Sequence, residues 1–257
     1  AYGQASMKTY FGEDCNSYSV RTFRDAMEAI EEGAADYAVL PIENSTAGAV
    51  NEVYDLLVEF ENYIVGEVII PITHTLAGLP GTQLSELKRV YSKAEALMQT
   101  TRFLEEHSDW QQISVANTAI AAKKILDDQD RTQAAVCSAY AAKVYGLEVL
   151  EDNINDESGN CTRFIIVTNQ KVFLKGAKKI SICFEVPHES GSLYHLLSHF
   201  IYNDLNMSKI ESRPIEGRSW EYRFFVDFEG NLEEPGVKNA LRGLREESRS
   251  LKILGNY

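Results

Sequence analysis

The sequence predicts two folded parts in series: a layered α/β part to about residue 172, then a small α+β module. Three observations carry this prediction. Short β-rich apolar runs alternate with segments whose apolar residues recur at helical spacing. The rhythm changes after Thr168, where residues 169–179 are basic and carry Gly176, as a linker does. The remaining residues have their own order, βαββαβ, the ferredoxin-like plan.

Each element has its local reason. Phe23, Ala26, Met27 and Ile30 share one face of a helix that Gly33 ends. Val50, Val53, Tyr54 and Leu57 mark a second helix after Gly48. Leu97, Thr101 and Leu104 mark a third, and Ala121, Ala122, Ile125 and Leu126 a fourth. Strands are expected at 37–42, 63–75, 89–92, 113–116, 134–138 and 163–168, in largely parallel sheets. In the last module, 179–186 reads as a strand. Residues 191–202 read as a helix, with Leu193, Leu196, Leu197, Phe200 and Ile201 on one face. Residues 205–213 and 221–228 read as strands, the second alternating through Tyr222, Phe224, Val226 and Phe228. A helix over 235–247 opens with Pro235, and 251–257 closes the module as a strand.

Composition narrows the function classes. The chain has 257 residues, 44% hydrophobic and 25% charged, which is globular composition. Its net charge of −13 lacks the basic footprint that nucleic acid or anionic membrane requires. The longest apolar candidate, 63–79, is broken by Glu67, Pro71 and His74, short of the roughly 20 residues of a membrane span. Cys15, Cys137, Cys161 and Cys183 form no C-x-x-C pair and no disulfide framework. With no visible secretory signal, a reduced cytoplasmic compartment is expected.

Three constellations carry candidate chemistry. Pro41-Ile42-Glu43-Asn44-Ser45-Thr46-Ala47-Gly48 lies between a predicted strand and a predicted helix. Its polar side chains suit a helix cap, and exceed what capping alone needs. Gly159-Asn160-Cys161-Thr162-Arg163-Phe164 enters an apolar run with an amide, a hydroxyl and a forked cation. Asn117-Thr118-Ala119 and Ser138 each read as a cap following a strand. His195 and His199 stand at i, i+4, a spacing that can bind zinc, but no Glu follows His195 and no third ligand is evident. They read as helix-surface or interface residues, and no metal site is expected. Cys161 has no His near it in sequence and is not expected to be a nucleophile.

Together these motifs resemble the prephenate dehydratase family with a C-terminal ACT regulatory domain. The resemblance rests on Pro41-Ile42-Glu43-Asn44-Ser45 with Gly48, Asn117-Thr118-Ala119, Thr162-Arg163-Phe164, Gly191-Ser192-Leu193-Tyr194 and Glu211-Ser212-Arg213-Pro214. It covers essentially the whole chain. It implies a catalytic domain over 1–172 of two lobes like periplasmic solute-binding proteins, one lobe from 1–75 and 154–172, the other from 76–153. It implies an ACT domain over 178–257. It implies decarboxylative dehydration of prephenate to phenylpyruvate, without metal or cofactor. Thr162 would be catalytic. Arg163, Phe164, Asn44, Ser45, Thr46, Asn117, Thr118, His74 and Asn160 would bind substrate. L-Phenylalanine would act as feedback effector at Gly191, Ser192, Leu193, Tyr194, Glu211, Ser212, Arg213 and Pro214, in a homodimer or homotetramer.

The sequence departs from the family pattern in places. The family opens with a strand before the residues matching Ala1-Tyr2-Gly3, and an N-terminal chorismate mutase domain precedes it in some members. Lys93-Ala94 stands where a His-Pro pair is common, and Ser192 replaces a common Ala. Arogenate dehydratase is the alternative within the class. A non-catalytic two-lobed small-molecule binding protein is the alternative outside it.

Overall fold

The computed structural model describes residues 2–257, so Ala1 of the Ala1-Tyr2-Gly3 segment lies outside the described residues. The chain divides into two compact units. The first comprises the residues up to Thr9 and Ile70–Thr162, and the second Tyr10–Ile69 and Arg163–Tyr257.

The elements run α1 (Tyr2–Phe11), α2 (Phe23–Glu31), β1 (Ala38–Asn44), β2 (Gly48–Ala49), α3 (Asn51–Glu59), β3 (Tyr63–Pro71) and β4 (Thr75–Gly78). Then come β5 (Arg89–Ser92), α4 (Ala94–Met98), α5 (Thr101–Glu105), β6 (Gln111–Ser114), α6 (Thr118–Asp128), β7 (Gln133–Cys137), α7 (Ala139–Val144), β8 (Glu148–Glu151) and β9 (Cys161–Thr168). The C-terminal module contributes β10 (Lys179–Glu185), α8 (Ser192–Tyr202), β11 (Met207–Pro214), β12 (Tyr222–Glu229), α9 (Pro235–Glu247) and β13 (Ser250–Asn256). Its βαββαβ order is the one its periodicity predicts.

The first unit is built on a five-stranded sheet in the order β6-β5-β7-β4-β8. Strand β5 runs parallel to β6 and β7, whereas β4 is antiparallel to β7 and β8, so the sheet is mixed. The pleat sends alternate side chains to opposite faces. Ala77, Tyr91, Ala135 and Cys137 pack under α6 and α7, and Leu76, Val90, Ala134 and Val136 pack with Leu97, Leu104 and Trp110. The helix expected around Leu97–Leu104 is two helices. The Asp156 carboxylate accepts the N–H groups of Thr101 (2.9 Å) and Arg102 (2.8 Å), capping α5 from outside and breaking the run at Gln99-Thr100. The strand expected over 63–75 is also interrupted. Ile72 N donates to Asn160 O (2.8 Å), and Asn155 brackets the turn by accepting from His74 N (2.7 Å) and donating to Ile72 O (3.0 Å).

The second unit holds an eight-stranded sheet, β11-β12-β10-β13-β3-β9-β1-β2. The module's four strands continue into those of the α/β layer through a parallel contact of Gly255 with Ile64. A Cβ at position 255 would collide with the Ile64 carbonyl oxygen, so glycine is needed there. One core cluster spans both parts, joining Met27, Leu40, Val53, Leu57 and Ile165 to Cys183, Phe225 and Leu254. A further cluster, including Phe184, Phe200, Phe228 and Leu244, fills the module itself. The basic stretch after Thr168 is tied down: Leu174 N donates to Asn256 O (3.2 Å), and Ala177 is buried.

No helix among the described residues is long and apolar enough to cross a membrane.

Candidate functional site

In the first unit, parallel β5, β6 and β7 end on one edge of the sheet, and α4, α6 and α7 begin just beyond those ends. The sequence supplies the starts. Asn117 Oδ1 accepts from Ile120 N (2.9 Å) to cap α6, and Ser138 Oγ accepts from Ala141 N (3.1 Å) to cap α7. Thr118 is the first residue of α6. Capping therefore accounts for Asn117 and Ser138 as predicted, while the remaining N–H groups make this edge receptive to anions.

His74, Gln99 and Asn160 form a buried polar cluster in the same unit. His74 is 3% exposed and Asn160 7%. Gln99 Oε1 accepts from Asn160 Nδ2 (3.1 Å) and lies 3.0 Å from His74 Nε2. A carbonyl oxygen only accepts, so this arrangement requires the tautomer with hydrogen on Nε2 and leaves Nδ1 as a buried acceptor without a protein partner. Burial holds the imidazole below its usual range, and the Gln99 bond only partly opposes this, so the ring is neutral near pH 7. Tyr2 closes the cluster, its hydroxyl on Thr73 O (2.6 Å) and its ring edge-on to His74. Thr162 is two residues beyond Asn160 at the start of β9 and 8% exposed.

The second unit carries the other predicted residues. The polar run after Ile42 does not cap α3. Asn44 Oδ1 accepts from Thr46 N (3.0 Å) and Ala47 N (2.8 Å), closing a turn that lets β1 pair with β2, and Val50 stands at the start of α3 without a side-chain cap. Ser45 and Thr46 are exposed at this turn. Phe164 is buried in β9.

Arg163 is held by three carboxylates: Asp227 (2.7 Å), Glu67 (3.2 Å) and Glu43 (3.4 Å). Burial works against its charge, but Asp227, with the Tyr257 and Tyr54 hydroxyls, more than offsets this and raises its pKa. Its Nε and the Tyr54 hydroxyl are buried without protein partners, and both residues line a cavity of about 10 Å³ with Ser181, Asp227 and Tyr257. That is close to the space one water molecule needs.

The module's predicted effector residues lie on two elements. Gly191 precedes α8 with φ +82°, a conformation that favours glycine, and Ser192, Leu193 and Tyr194 form the first turn. Ser192 Oγ donates to Glu189 O (3.0 Å). Glu211, Ser212, Arg213 and Pro214 end the sheet-edge strand β11. Arg213 grips Asp55 of α3 with a fork of 3.0 and 2.6 Å. His199 faces Glu247 of α9 at 3.1 Å. Burial pushes the Cys137 thiol up to about 12 and the Cys183 thiol to about 11, so neither is a ready nucleophile.

Sequence reasoning gave no role to Gln99 or Asn155, and named Glu43 in a motif without a partner. Gln99 lies at a helix break that local periodicity did not show. The partners of all three become visible only with the fold.

A family model described as prephenate dehydratase matches residues 1–172. The chain belongs to the prephenate dehydratase family. A bifunctional chorismate mutase/prephenate dehydratase of Aquifex aeolicus is 39% identical over 256 residues, covering 99% of this chain and 69% of that protein. Among solved structures, a prephenate dehydratase of Arthrobacter aurescens in complex with L-Phe has a TM-score of 0.91 at 31% identity, covering 100% of this chain and 86% of that one. A chain described as GqqA, a novel type of quorum quenching acylase, has the same TM-score and identity, with coverages of 99% and 93%. Within the prephenate dehydratase family the two-sheet α/β architecture is therefore shared with solved relatives.

Proposed function

We propose that this chain converts prephenate to phenylpyruvate and that L-phenylalanine feeds back through residues 178–257 as an ACT domain. The reading rests on family membership together with an intact Thr-Arg-Phe motif whose Thr162 is buried, two residues along the chain from the hydrogen-bonded amide of Asn160.

The chemistry asks little of the protein beyond placement. The prephenate dianion breaks its ring–carboxylate bond, and that electron pair enters the ring. The ring hydroxyl then leaves with its own bonding pair, giving phenylpyruvate anion, carbon dioxide and hydroxide. Aromatisation drives the step, and protonation of the hydroxide gives water. Thr162 donates a hydrogen bond or proton to the departing oxygen, typically worth about 10²–10⁴-fold. Asn160, His74, Asn117 and Thr118 supply preorganised polar contacts from one unit. Asn44, Ser45, Thr46, Phe164 and Arg163 are the further substrate residues of this reading.

The effector reading is supported by the βαββαβ order, by Gly191 at the start of α8, and by the L-Phe held in the Arthrobacter relative. We place the enzyme in the cytoplasm as a homodimer or homotetramer. The exposed Tyr194, Ile201 and Tyr202 on α8 support self-association.

The test is phenylpyruvate formation from prephenate, with and without phenylalanine, and with arogenate in parallel. Turnover suppressed by phenylalanine is expected, and changes at Glu211-Ser212-Arg213 should relieve the suppression. A folded chain that binds prephenate without turning it over would be a binding protein. Turnover of arogenate alone would reassign the substrate.

A further inference from the structure

We propose that Lys209 is a positioning residue that ties the C-terminal module to both substrate motifs through Glu43. This rests on the effector reading proposed for residues 178–257. Lys209 Nζ donates to Glu43 Oε1 at 2.8 Å, and the side chain is only 15% exposed. The second Glu43 oxygen lies 3.4 Å from Arg163. Glu43 directly precedes Asn44, which holds the Ser45-Thr46 turn, and Arg163 directly follows Thr162. One carboxylate therefore joins strand β11 to the motif on β1 and to the motif on β9.

Strand β11 is shaped for this task. Its pairing with β12 shifts register between Met207 and Lys209, a bulge of the kind that re-aims a side chain. Its inward-facing positions are Met207, Lys209, Glu211 and Arg213, while Ile210 is 45% exposed. An edge strand that turns charge inward and leaves an aliphatic side chain outside gives up burial energy, so the inward charges need a reason. Their partners supply it: Glu43 for Lys209 and Asp55 for Arg213.

Lys209 also has two acidic partners, which gives the tie a second state. Glu211, the first residue of the Glu-Ser-Arg-Pro motif, stands 3.7 Å from Lys209 Nζ. The ammonium of an amino-acid effector seated on Glu211 competes with Lys209 for that carboxylate. Lys209 is then left to Glu43 alone, drawing Glu43 away from Arg163 and shifting the backbone next to Thr162. A ligand can move an equilibrium only through such differential contacts.

The test uses the full chain and three variants, Lys209→Gln, Lys209→Arg and Glu43→Gln. Phenylalanine binding is measured by calorimetry, and its dose–response on phenylpyruvate formation on the same preparations. Lys209→Gln should bind phenylalanine at least as tightly as the wild type does, because a competitor for Glu211 is gone, yet saturating phenylalanine should inhibit it about 10-fold less, within the usual range of coupling. Lys209→Arg should restore the inhibition. Inhibition unchanged in Lys209→Gln overturns the proposal. So does a folded Lys209→Gln that no longer binds phenylalanine, because Lys209 would then belong to the effector pocket itself. If Lys209→Gln fails to fold, Glu43→Gln cuts the same tie from the other side, and unchanged inhibition there overturns the proposal equally. Coupling is reciprocal in binding, so prephenate affinity is also compared with and without phenylalanine. This arm needs no turnover. A chain that never makes phenylpyruvate but loses the phenylalanine effect on prephenate affinity in Lys209→Gln refutes the catalytic reading and supports this one. A wild type in which phenylalanine changes neither turnover nor prephenate affinity overturns the effector reading and this proposal together.

Discussion

Arg163 Nη1 lies 2.7 Å from Asp227 Oδ2, which joins the residue after Thr162 to strand β12 of the C-terminal module. Both side chains are 12% exposed. The pair is thus an internal joint rather than a surface contact, and its Arg belongs to the motif that identifies the family.

Asp227→Ala should cost about 3 kcal/mol of stability. Removing one partner of a buried pair leaves a charge short of compensation, and the value sits at the low end of the usual range because Glu43 and Glu67 remain. Urea unfolding measures it. A loss below about 1 kcal/mol would show that Arg163 is solvated well enough without Asp227.

Thr162→Ala should lower kcat by about 10²–10⁴-fold with KM little changed, because the hydroxyl acts mainly in the transition state. Steady-state phenylpyruvate formation reads both constants. Equal turnover would remove Thr162 from the mechanism.

His74 should make stability depend on pH in a stated direction. The folded ring is held below its usual 6.5 by burial, so below that pH the unfolded chain binds more protons than the folded one. Stability from this group is complete above about pH 6.5 and falls as the pH drops toward the folded value. His74→Gln should therefore lose stability less steeply than the wild type in that window. Parallel slopes in urea titrations at several pH values would count against it.

Gly191→Ala should lower stability by about 1 kcal/mol, since φ +82° disfavours an L side chain. Space is not the obstacle, as the nearest atom to a new Cβ is His195 Nε2 at an ordinary 3.5 Å. Thermal unfolding checks this, and an unchanged Tm would mean the backbone relaxes at this position.

Much of the architecture was readable from periodicity. The α9 face of Val237, Ala240, Leu241 and Leu244 is a property of a short window, and burial followed it. Strand β12 departs from its expected alternation: Phe225 and Asp227 are buried along with Val226 and Phe228, and Tyr222 is exposed, because Phe225 joins the core shared with the α/β layer. The candidate site was readable in part. Asn117 and Ser138 cap as their types predict, whereas Asn44 closes a turn, because β1 turns back to pair with β2 before any helix begins. The break at Gln99 depends on Asp156, which is distant in sequence and supplies the cap of α5. No local window contains both.

The amino-acid sequence by itself determined most of the helices and strands, the βαββαβ order of the module, and the motifs that carry the family resemblance. Apolar spacing, caps and turn residues act over a few positions and are written locally. Only the tertiary structure decided what the charged side chains do. Arg163 could be read as a free fork for a substrate carboxylate, yet it faces Asp227, Glu67 and Glu43; Arg213 takes Asp55, and Lys209 takes Glu43. A buried charge must find opposite charge within a few ångströms, and which carboxylate stands there is set by how the strands of the eight-stranded sheet are ordered.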